Sequence, residues 1–337
     1  MNKDVELLLR KQGYALAGLE GGVKLCTWLK KSLKDEGHCY KQEFYGVKSH
    51  RCLQCAPCIN TCSHKCVFCW RPTQFTDMNS KKFVMNAKEK GLTSREVVKE
   101  LVNEMISAQR RLIQGFKGNP KTNQKKFEEA LNPSLAAISL SGEPTLYPFL
   151  PELIEEFKSR NVKTFLVSNG TNPNMIQKLI NDARPSQLYI TLPACDEKMY
   201  LRTCNPLVHN GFKLIKKTLK ILGKHPEVRS VIRLTLVKNL NMFVDVRLKE
   251  CAEKYARLIS LAKPWFIECK AYVRVGNSRE RTVYENMPSH KDVKEFSIAL
   301  SNELKKLGLN YPLKLEKKDS RVTLLTDRKD NMFFKEN

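Results

Sequence analysis

From Thr93 onward the chain alternates two patterns, apolar positions at helical spacing and short continuous apolar runs, and the alternation holds almost to the end. Thr93 or Ser94 caps a first helix with Glu96 in its opening turn, and Val98, Leu101, Val102, Met105 and Leu112 share its buried face. Residues 116–132, rich in Lys, Asn and Gly and broken by Pro120, read as an exposed basic loop. Strands are predicted at 135–140, 163–168, 187–192, 230–237 and 265–272, with helices at 150–159, 174–180, 211–222 and 246–261 between them. A last helix over 291–307 buries Val293, Phe296, Leu300, Leu304 and Leu307. Short apolar strands alternating with helices predict a parallel sheet with helical crossovers. The fold class is therefore α/β, a partial (βα)6, TIM-like barrel, in which ligand sites gather at the C-terminal ends of the strands.

The two ends of the chain depart from this alternation. Val5-Glu-Leu-Leu-Leu and the glycine-rich turn at Gly18, Gly21 and Gly22 suggest an extension packed on the main body. Residues 311–325 are expected to add an edge strand, and 327–337 to fray. The resulting division is an N-terminal extension (1–52), the barrel (53–310) and a C-terminal tail (311–337). The 337 residues suffice for one large α/β barrel or two ordinary domains. No run of about 18 apolar residues occurs, and the N-terminus lacks the apolar stretch of a signal peptide. The expectation is a soluble, cytoplasmic protein with no membrane partner.

Charge and cysteine usage narrow the chemistry. Lys and Arg outnumber Asp and Glu 59 to 35, a net +24 that favours a phosphate-bearing partner such as RNA or DNA. The surplus concentrates at Arg110-Arg111, Lys117 to Lys126, Lys213 to Lys220 and Lys314 to Lys318. Of 12 cysteines, eight lie between Cys26 and Cys69, and thiols clustered this way in a reducing compartment point to metal.

The densest chemistry is Cys62-Ser-His-Lys-Cys-Val-Phe-Cys-Trp-Arg-Pro72. Three thiols on so short a loop can face one centre, and an iron–sulfur cube held by three cysteines keeps one iron open. A zinc knuckle drawing on His64 is the competing arrangement. The spacing of Cys62, Cys66 and Cys69, with Phe68 before the last thiol, resembles the radical S-adenosylmethionine (SAM) superfamily. That resemblance implies a [4Fe-4S] cluster on these cysteines whose free iron chelates SAM, and one-electron cleavage of SAM to methionine and a 5′-deoxyadenosyl radical.

Upstream, Cys26, Cys39 and Cys52 sit in three separate turns, while Cys52, Cys55, Cys58 and Cys62 have the spacing of a bacterial ferredoxin run. Spacing alone allows two partitions. One is a four-cysteine cluster at Cys52, Cys55, Cys58 and Cys62 with Cys66 and Cys69 left over. The other is a cluster at Cys62, Cys66 and Cys69 plus a second, auxiliary one drawing on Cys26, Cys39 and Cys52. The second is preferred because it uses the upstream thiols and keeps Phe68 and Trp70-Arg71-Pro72 in context.

Ser139-Leu-Ser-Gly-Glu-Pro-Thr145 falls at the end of the second barrel strand. Gly142 would let the backbone approach a ligand, and the Glu143 carboxylate with nearby carbonyls would accept hydrogen bonds from a primary ammonium. Within the superfamily, Gly142-Glu143-Pro144 resembles the segment that holds the SAM amino group. Ser168-Asn169-Gly170, closing the third strand, suits the SAM carboxylate or ribose. Cys195 and Cys204 read as packed thiols flanking a substrate pocket, and Cys251 and Cys269 as core.

These motifs, with Arg233-Leu-Thr-Leu-Val-Lys-Asn239, Phe266-Ile-Glu268 and Glu285-Asn-Met-Pro-Ser-His290, resemble the archaeal 4-demethylwyosine synthases of the tRNA wybutosine pathway over nearly the whole chain. The resemblance implies a lyase-type radical SAM enzyme that condenses pyruvate with N1-methylguanosine-37 in the anticodon loop of phenylalanine tRNA. It implies a second [4Fe-4S] cluster on Cys26, Cys39 and Cys52 that orients pyruvate, with Cys55 and Cys58 additional to the family's six ligands. Lys41 is the candidate for a Schiff base with pyruvate. The first 25 residues cannot house the flavodoxin-like domain of the eukaryotic relatives, so an external electron donor protein is expected, as is a monomer. Trp28, Phe44, Tyr45 and Trp70 are candidates for stacking on RNA bases. The rival readings are a radical SAM enzyme acting on a peptide or metabolite, and a zinc- or cluster-bearing RNA-binding or electron-carrier protein without catalysis.

Overall fold

A computed structural model describes residues 3–328 and 332–334. One ten-stranded sheet runs through it. It starts with a hairpin, β1 (Ala15–Ala17) and β2 (Gly21–Val23), whose second strand lies antiparallel to β3 (Cys52–Ala56). Parallel neighbours follow in chain order: β4 (Leu135–Ile138), β5 (Lys163–Ser168), β6 (Gln187–Thr191), β7 (Ser230–Leu236) and β8 (Phe266–Ala271). The chain ends in β9 (Leu313–Lys317) and β10 (Val322–Leu325), with β10 antiparallel on β8 and β9 beyond it at the edge. β1 and β9 do not pair with each other, so the barrel is open.

Three helices precede β3: α1 (Lys3–Lys11), α2 (Thr27–Leu33) and α3 (Tyr40–Tyr45). Between β3 and β4 come α4 (Lys81–Glu89), α5 (Ser94–Ile113) and α6 (Gln124–Ala130). The later crossovers are α7 (Leu150–Ser159), α8 (Pro173–Asp182), α9 (Glu197–Cys204) with α10 (Gly211–Gly223), α11 (Arg247–Ile259) and α12 (His290–Lys306). Two of the long helices start on capping boxes, Thr93 with Glu96 and Ser289 with Asp292, which satisfy otherwise orphaned N–H groups. The apolar face of α12 stops at Leu304; Leu307, expected inside, is 46% exposed.

Three expectations need correction. The basic segment 116–132 is not all loop: Asn123 caps α6, whose Phe127 and Ala130 pack with Leu29 and Leu33 of α2. The first barrel strand, β3, lies inside the cysteine-rich run, where cysteines rather than Val or Ile supply the apolar positions. The tail forms a hairpin in which β10 is buried throughout. Within 327–337, Arg328 stacks on Trp265 (3.7 Å to the ring centroid), Met332 is buried, and the Phe334 N–H donates to Tyr45 O (3.0 Å). Residues 329–331 and 335–337 lie outside the described residues.

Alternate residues of the parallel strands face the barrel interior. Leu135, Phe165, Tyr189, Val231, Phe266 and Leu324 meet Phe44 and Tyr45 of α3 there. Each such side chain contributes roughly 1.5–3 kcal/mol by burial. This plug fills the lower barrel and leaves a cavity only above it, at the C-terminal ends of the strands. Among the described residues no helix is long and apolar enough to cross a membrane.

Candidate active site

The cavity above the plug has a volume of about 360 Å³. One wall is the cysteine loop with Cys62, Cys66, Phe68 and Cys69; a second is Ser139–Glu143 with Ser168 and Asn169; the floor carries Arg233, Thr235 and Lys270. The cysteine loop leaves β3 and is pinned from below by Arg71, which is 4% exposed and donates to Ile59 O and Thr76 Oγ1 (both 3.3 Å). Burial alone would lower the Arg71 pKa, but Cys69, Cys62 and Cys66 together raise it. The three cysteines that act on this guanidinium all line the same cavity, as a three-cysteine cluster requires. Burial pushes the Cys62 thiol up to about 12, with Arg71 opposing.

The two competing metal arrangements fit less well. Ring nitrogen of His64 and the thiols of Cys66 and Cys204 lie within 4.8 Å of one another. A structural zinc needs four ligands, and this group offers three. His64 Nε2 is taken up by a hydrogen bond with Tyr200 OH (2.7 Å), while burial lowers the ring's pKa to about 3 and keeps it neutral. The ferredoxin partition fails on strand parity. Cys52 and Cys55 are both on β3 and point to opposite faces, Cys52 toward the barrel interior and Cys55 into the core under the helices.

The Gly142-Glu143-Pro144 turn lies where expected, at the end of β4, with Gly142 and Glu143 lining the cavity. Gly142 has φ +73°, and a Cβ there would come within 1.8 Å of Cys58 O, so the close approach that requires glycine is to the cysteine loop. Glu143 is 2% exposed. Its Oε1 accepts from Ser168 Oγ (2.8 Å), Thr145 Oγ1 (2.6 Å) and Thr145 N (3.1 Å), and its Oε2 from Asn169 N (2.7 Å). Burial raises its pKa although these donors oppose it. The protein thus supplies four donors, three on Oε1 and one on Oε2, and Oε2 keeps a second acceptor site, so the carboxylate as well as the carbonyls of this turn can meet an ammonium. Pro144 opens a buried 3-10 turn that fixes the carboxylate's direction. Ser168 Oγ is committed to Glu143, and Asn169 reaches Ser63 Oγ through Nδ2 (2.8 Å), so both brace the wall of the cavity.

The N-terminal cysteines come together beside the barrel interior. Cys26 precedes α2, Cys39 precedes α3 and Cys52 opens β3. Cys39 N donates to Ser49 Oγ (2.9 Å), which ties the start of α3 to the turn before β3. Burial raises all three thiols; Cys39 acts on Cys26, both act on Cys52, and Lys41 lowers each of them. Lys41 is 9% exposed, with Nζ over the rings of Phe165 (5.3 Å) and Tyr189 (5.2 Å).

Two floor residues escaped the sequence reading of the site. Arg233 donates to Glu268 Oε2 (2.9 Å) and to Tyr40 OH (2.7 Å), while Tyr40 and Tyr45 both donate to the fully buried Glu268. Lys270 Nζ donates to Ser320 O (3.1 Å), and burial, then Arg233, lowers its pKa to about 8. The available signal was charge at alternate positions, 233 and then 268 and 270, in strands otherwise apolar. Other assignments shift. Phe44 and Tyr45 are fully buried and cannot stack on RNA, and Trp70 is stacked on Tyr14 (5.8 Å). Trp28 lies under Lys31 Nζ (5.2 Å). Cys195 does not flank this cavity; its Sγ is 4.0 Å from that of Cys251 beside a separate cavity of about 250 Å³, and Cys204 packs on Cys66. Cys251 and Cys269 are buried, as expected.

The chain is similar to known proteins over nearly its whole length. Residues 57–246 match the model of the radical SAM superfamily, and residues 261–327 match that of wyosine base formation. The S-adenosyl-L-methionine-dependent tRNA 4-demethylwyosine synthase of Pyrococcus horikoshii is 45% identical over 326 residues, 96% of this chain and 89% of its own. That of Methanocaldococcus jannaschii is 37% identical over 324 residues, 96% of each. A solved structure of TYW1 with a lysine-pyruvate adduct bound superposes with a TM-score of 0.81 at 35% identity, covering 99% of both chains. An archaeal TYW1 crystal structure gives 0.73 at 31%, covering 99% of this chain and 100% of the other. The chain belongs to the radical SAM superfamily and, within it, to the tRNA 4-demethylwyosine synthases.

Proposed function

We propose that this radical SAM enzyme condenses N1-methylguanosine-37 of phenylalanine tRNA with pyruvate to give 4-demethylwyosine. The observation that carries the reading is one cavity with three converging cysteines on its wall and two cations, Arg233 and Lys270, on its floor. Cys62, Cys66 and Cys69 would hold a [4Fe-4S] cluster, and with SAM bound that cluster supplies the one-electron reduction that starts radical chemistry. Phe68 lines the same cavity. The carbonyls of the Gly142–Pro144 turn would meet the SAM ammonium, with Ser168 and Asn169 holding the turn in place. Arg71 keeps the loop buried and offsets the charge of three thiolates.

Cys26, Cys39 and Cys52 would carry the auxiliary [4Fe-4S] cluster and, with it, the keto acid. Lys41, surrounded by those thiols, would form the Schiff base with pyruvate; the lysine-pyruvate adduct of the related TYW1 structure supports a lysine in this role. Lys270 is a second choice, because it lines the cavity and its lowered pKa yields more free amine. Lys270, beside the Arg233–Glu268 pair, would offset a carboxylate. An external protein would donate the electrons to a cytoplasmic, monomeric enzyme. The test is incubation of the reconstituted protein with SAM, pyruvate, dithionite and methylated tRNA, followed by digestion and mass analysis of the nucleosides. Appearance of the tricyclic base is the expected result; SAM cleavage without it would favour a peptide or metabolite substrate.

A further inference from the structure

The segment after β8, residues 273–287, grips the cysteine loop on one side and is bare on the other. Gly276 has φ +57°, and a Cβ on it would sit 2.2 Å from Trp70 O; the next residue's N–H donates to that same oxygen (2.9 Å). Arg281 aims its guanidinium at three carbonyls of the loop, Val67 O (3.4 Å), Cys69 O and Arg71 O (3.5 Å). No carboxylate lies within ion-pair distance of Arg281 or Arg279 among the described residues. The outward side carries Tyr284, 68% exposed, and Val283, 58% exposed, with Arg279 exposed nearby in sequence. The acidic neighbour Glu280 is turned to Asn277 Nδ2 (3.0 Å), while Glu285 is exposed.

An exposed aromatic ring with valines and an arginine lacking an acid partner matches what a splayed base and its phosphate require. The segment leaves the C-terminal end of β8, the end of the barrel at which the cavity lies, so a nucleotide entering the cavity passes it. We propose that residues 273–287 dock the loop of the RNA substrate, and that Arg281 is a positioning residue through which this contact sets the posture of the cysteine loop. The proposal rests on the tRNA-modifying reading above.

The test uses the cluster-loaded full chain and a labelled anticodon stem-loop RNA, with binding followed by fluorescence anisotropy over a salt series. Tyr284→Ala is expected to weaken binding by about 5- to 100-fold, the range of one lost base stack. Arg279→Glu is expected to weaken binding and to lower the salt slope by about 1. Lys158→Glu, the control, carries the same charge change at the end of α7 that leads into the opposite end of the barrel, and should bind within about twofold of the parent. Equal losses in all three variants, or none in the first two, overturn the docking role.

For Arg281 the readout is the electron paramagnetic resonance spectrum of the reduced, SAM-bound enzyme. RNA should shift that spectrum in the parent and leave it unmoved in Arg281→Ala, with part of the response restored in Arg281→Lys. A shift that persists in both variants overturns the positioning role; if the alanine variant fails to hold iron, the lysine variant decides. A parent that binds no RNA sinks the tRNA reading itself, whereas a parent that modifies RNA while the variants behave identically sinks only this proposal.

Discussion

Glu143→Gln separates two roles for the same carboxylate: contact with SAM, as its motif suggests, and bracing of the cavity wall, as its hydrogen bonds indicate. The side chain accepts four protein hydrogen bonds, three on Oε1 and one on Oε2. Glutamine keeps the shape but replaces one oxygen with an NH2 group. Its least costly orientation puts that NH2 where Oε2 was, facing the Asn169 N–H. One charge-assisted bond is then lost and a buried donor is left without an acceptor, at a cost of about 2–4 kcal/mol. Total stability is roughly 5–15 kcal/mol, so the variant should still fold. Unfolding entropy scales with length, and for 337 residues this loss lowers Tm by about 3–6 °C. Because Asn169 also holds Ser63 of the cysteine loop, SAM affinity should fall about tenfold as the wall loosens. Calorimetry gives Tm, and equilibrium dialysis with labelled SAM gives affinity. Weakened SAM binding with an unchanged Tm would refute the bracing role and restore direct contact; no change in either would refute both.

Three further outcomes follow from the geometry. Cys52→Ser should reduce iron from about eight to about four per chain, while Cys55→Ser, on the opposite face of β3, should keep about eight; iron and sulfide analysis decides, and loss on Cys55→Ser would return the ferredoxin partition. Borohydride trapping of labelled pyruvate should be abolished by Lys41→Arg and retained by Lys270→Arg, with peptide mapping to locate the label; the reverse result would move the Schiff base to the cavity floor. Burial pulls the Glu268 pKa up, but Arg233, the Tyr45 hydroxyl and Lys41 together hold it below the usual carboxylate range. Its contribution is therefore complete above the unfolded value of about 4.3 and is lost as pH falls through the lower folded value. Urea midpoints should show that acid limb, and Glu268→Gln should remove it while costing about 3–5 kcal/mol by leaving Arg233 buried and unpaired; an unchanged limb counts against the ion pair.

What the sequence disclosed depended on whether a pattern or a distance carried the information. Helices α5, α7, α8, α10, α11 and α12 and five of the six parallel strands follow from periodicity, since their apolar faces are regular and the first start is explicitly capped at Thr93, whereas α4 and the short α9 were not expected. The sixth, β3, was hidden because its apolar positions are Leu53 and Cys55, and cysteines in that run read as metal ligands first. Helix α6 was hidden because only Phe127 and Ala130 face inward on a segment otherwise polar. The grouping of Cys26, Cys39 and Cys52 was legible as a possibility, yet it depends on two helix starts and a strand start meeting, and no local pattern specifies that meeting.

Glu143 shows how a correctly located motif leaves the partners of its side chain to be set by the fold. The turn falls at the end of β4 as expected, but the atoms that occupy its carboxylate come from residues 145, 168 and 169, two of them in the next strand's loop. Three of its four donors crowd Oε1, while Oε2 accepts only from Asn169 N, so the protein braces a carboxylate that still lines the cavity. The same bonds hold β4 and β5 at a fixed separation, and through Asn169 and Ser63 transmit that spacing to Cys62 and Cys66. Gly142 acts from the other side, because only a residue without Cβ lets this turn lie against Cys58 O. The cavity wall is thus built by mutual contact of two motifs more than 70 residues apart, and a substitution in either should be felt by the thiols of the other before it is felt by any bound molecule.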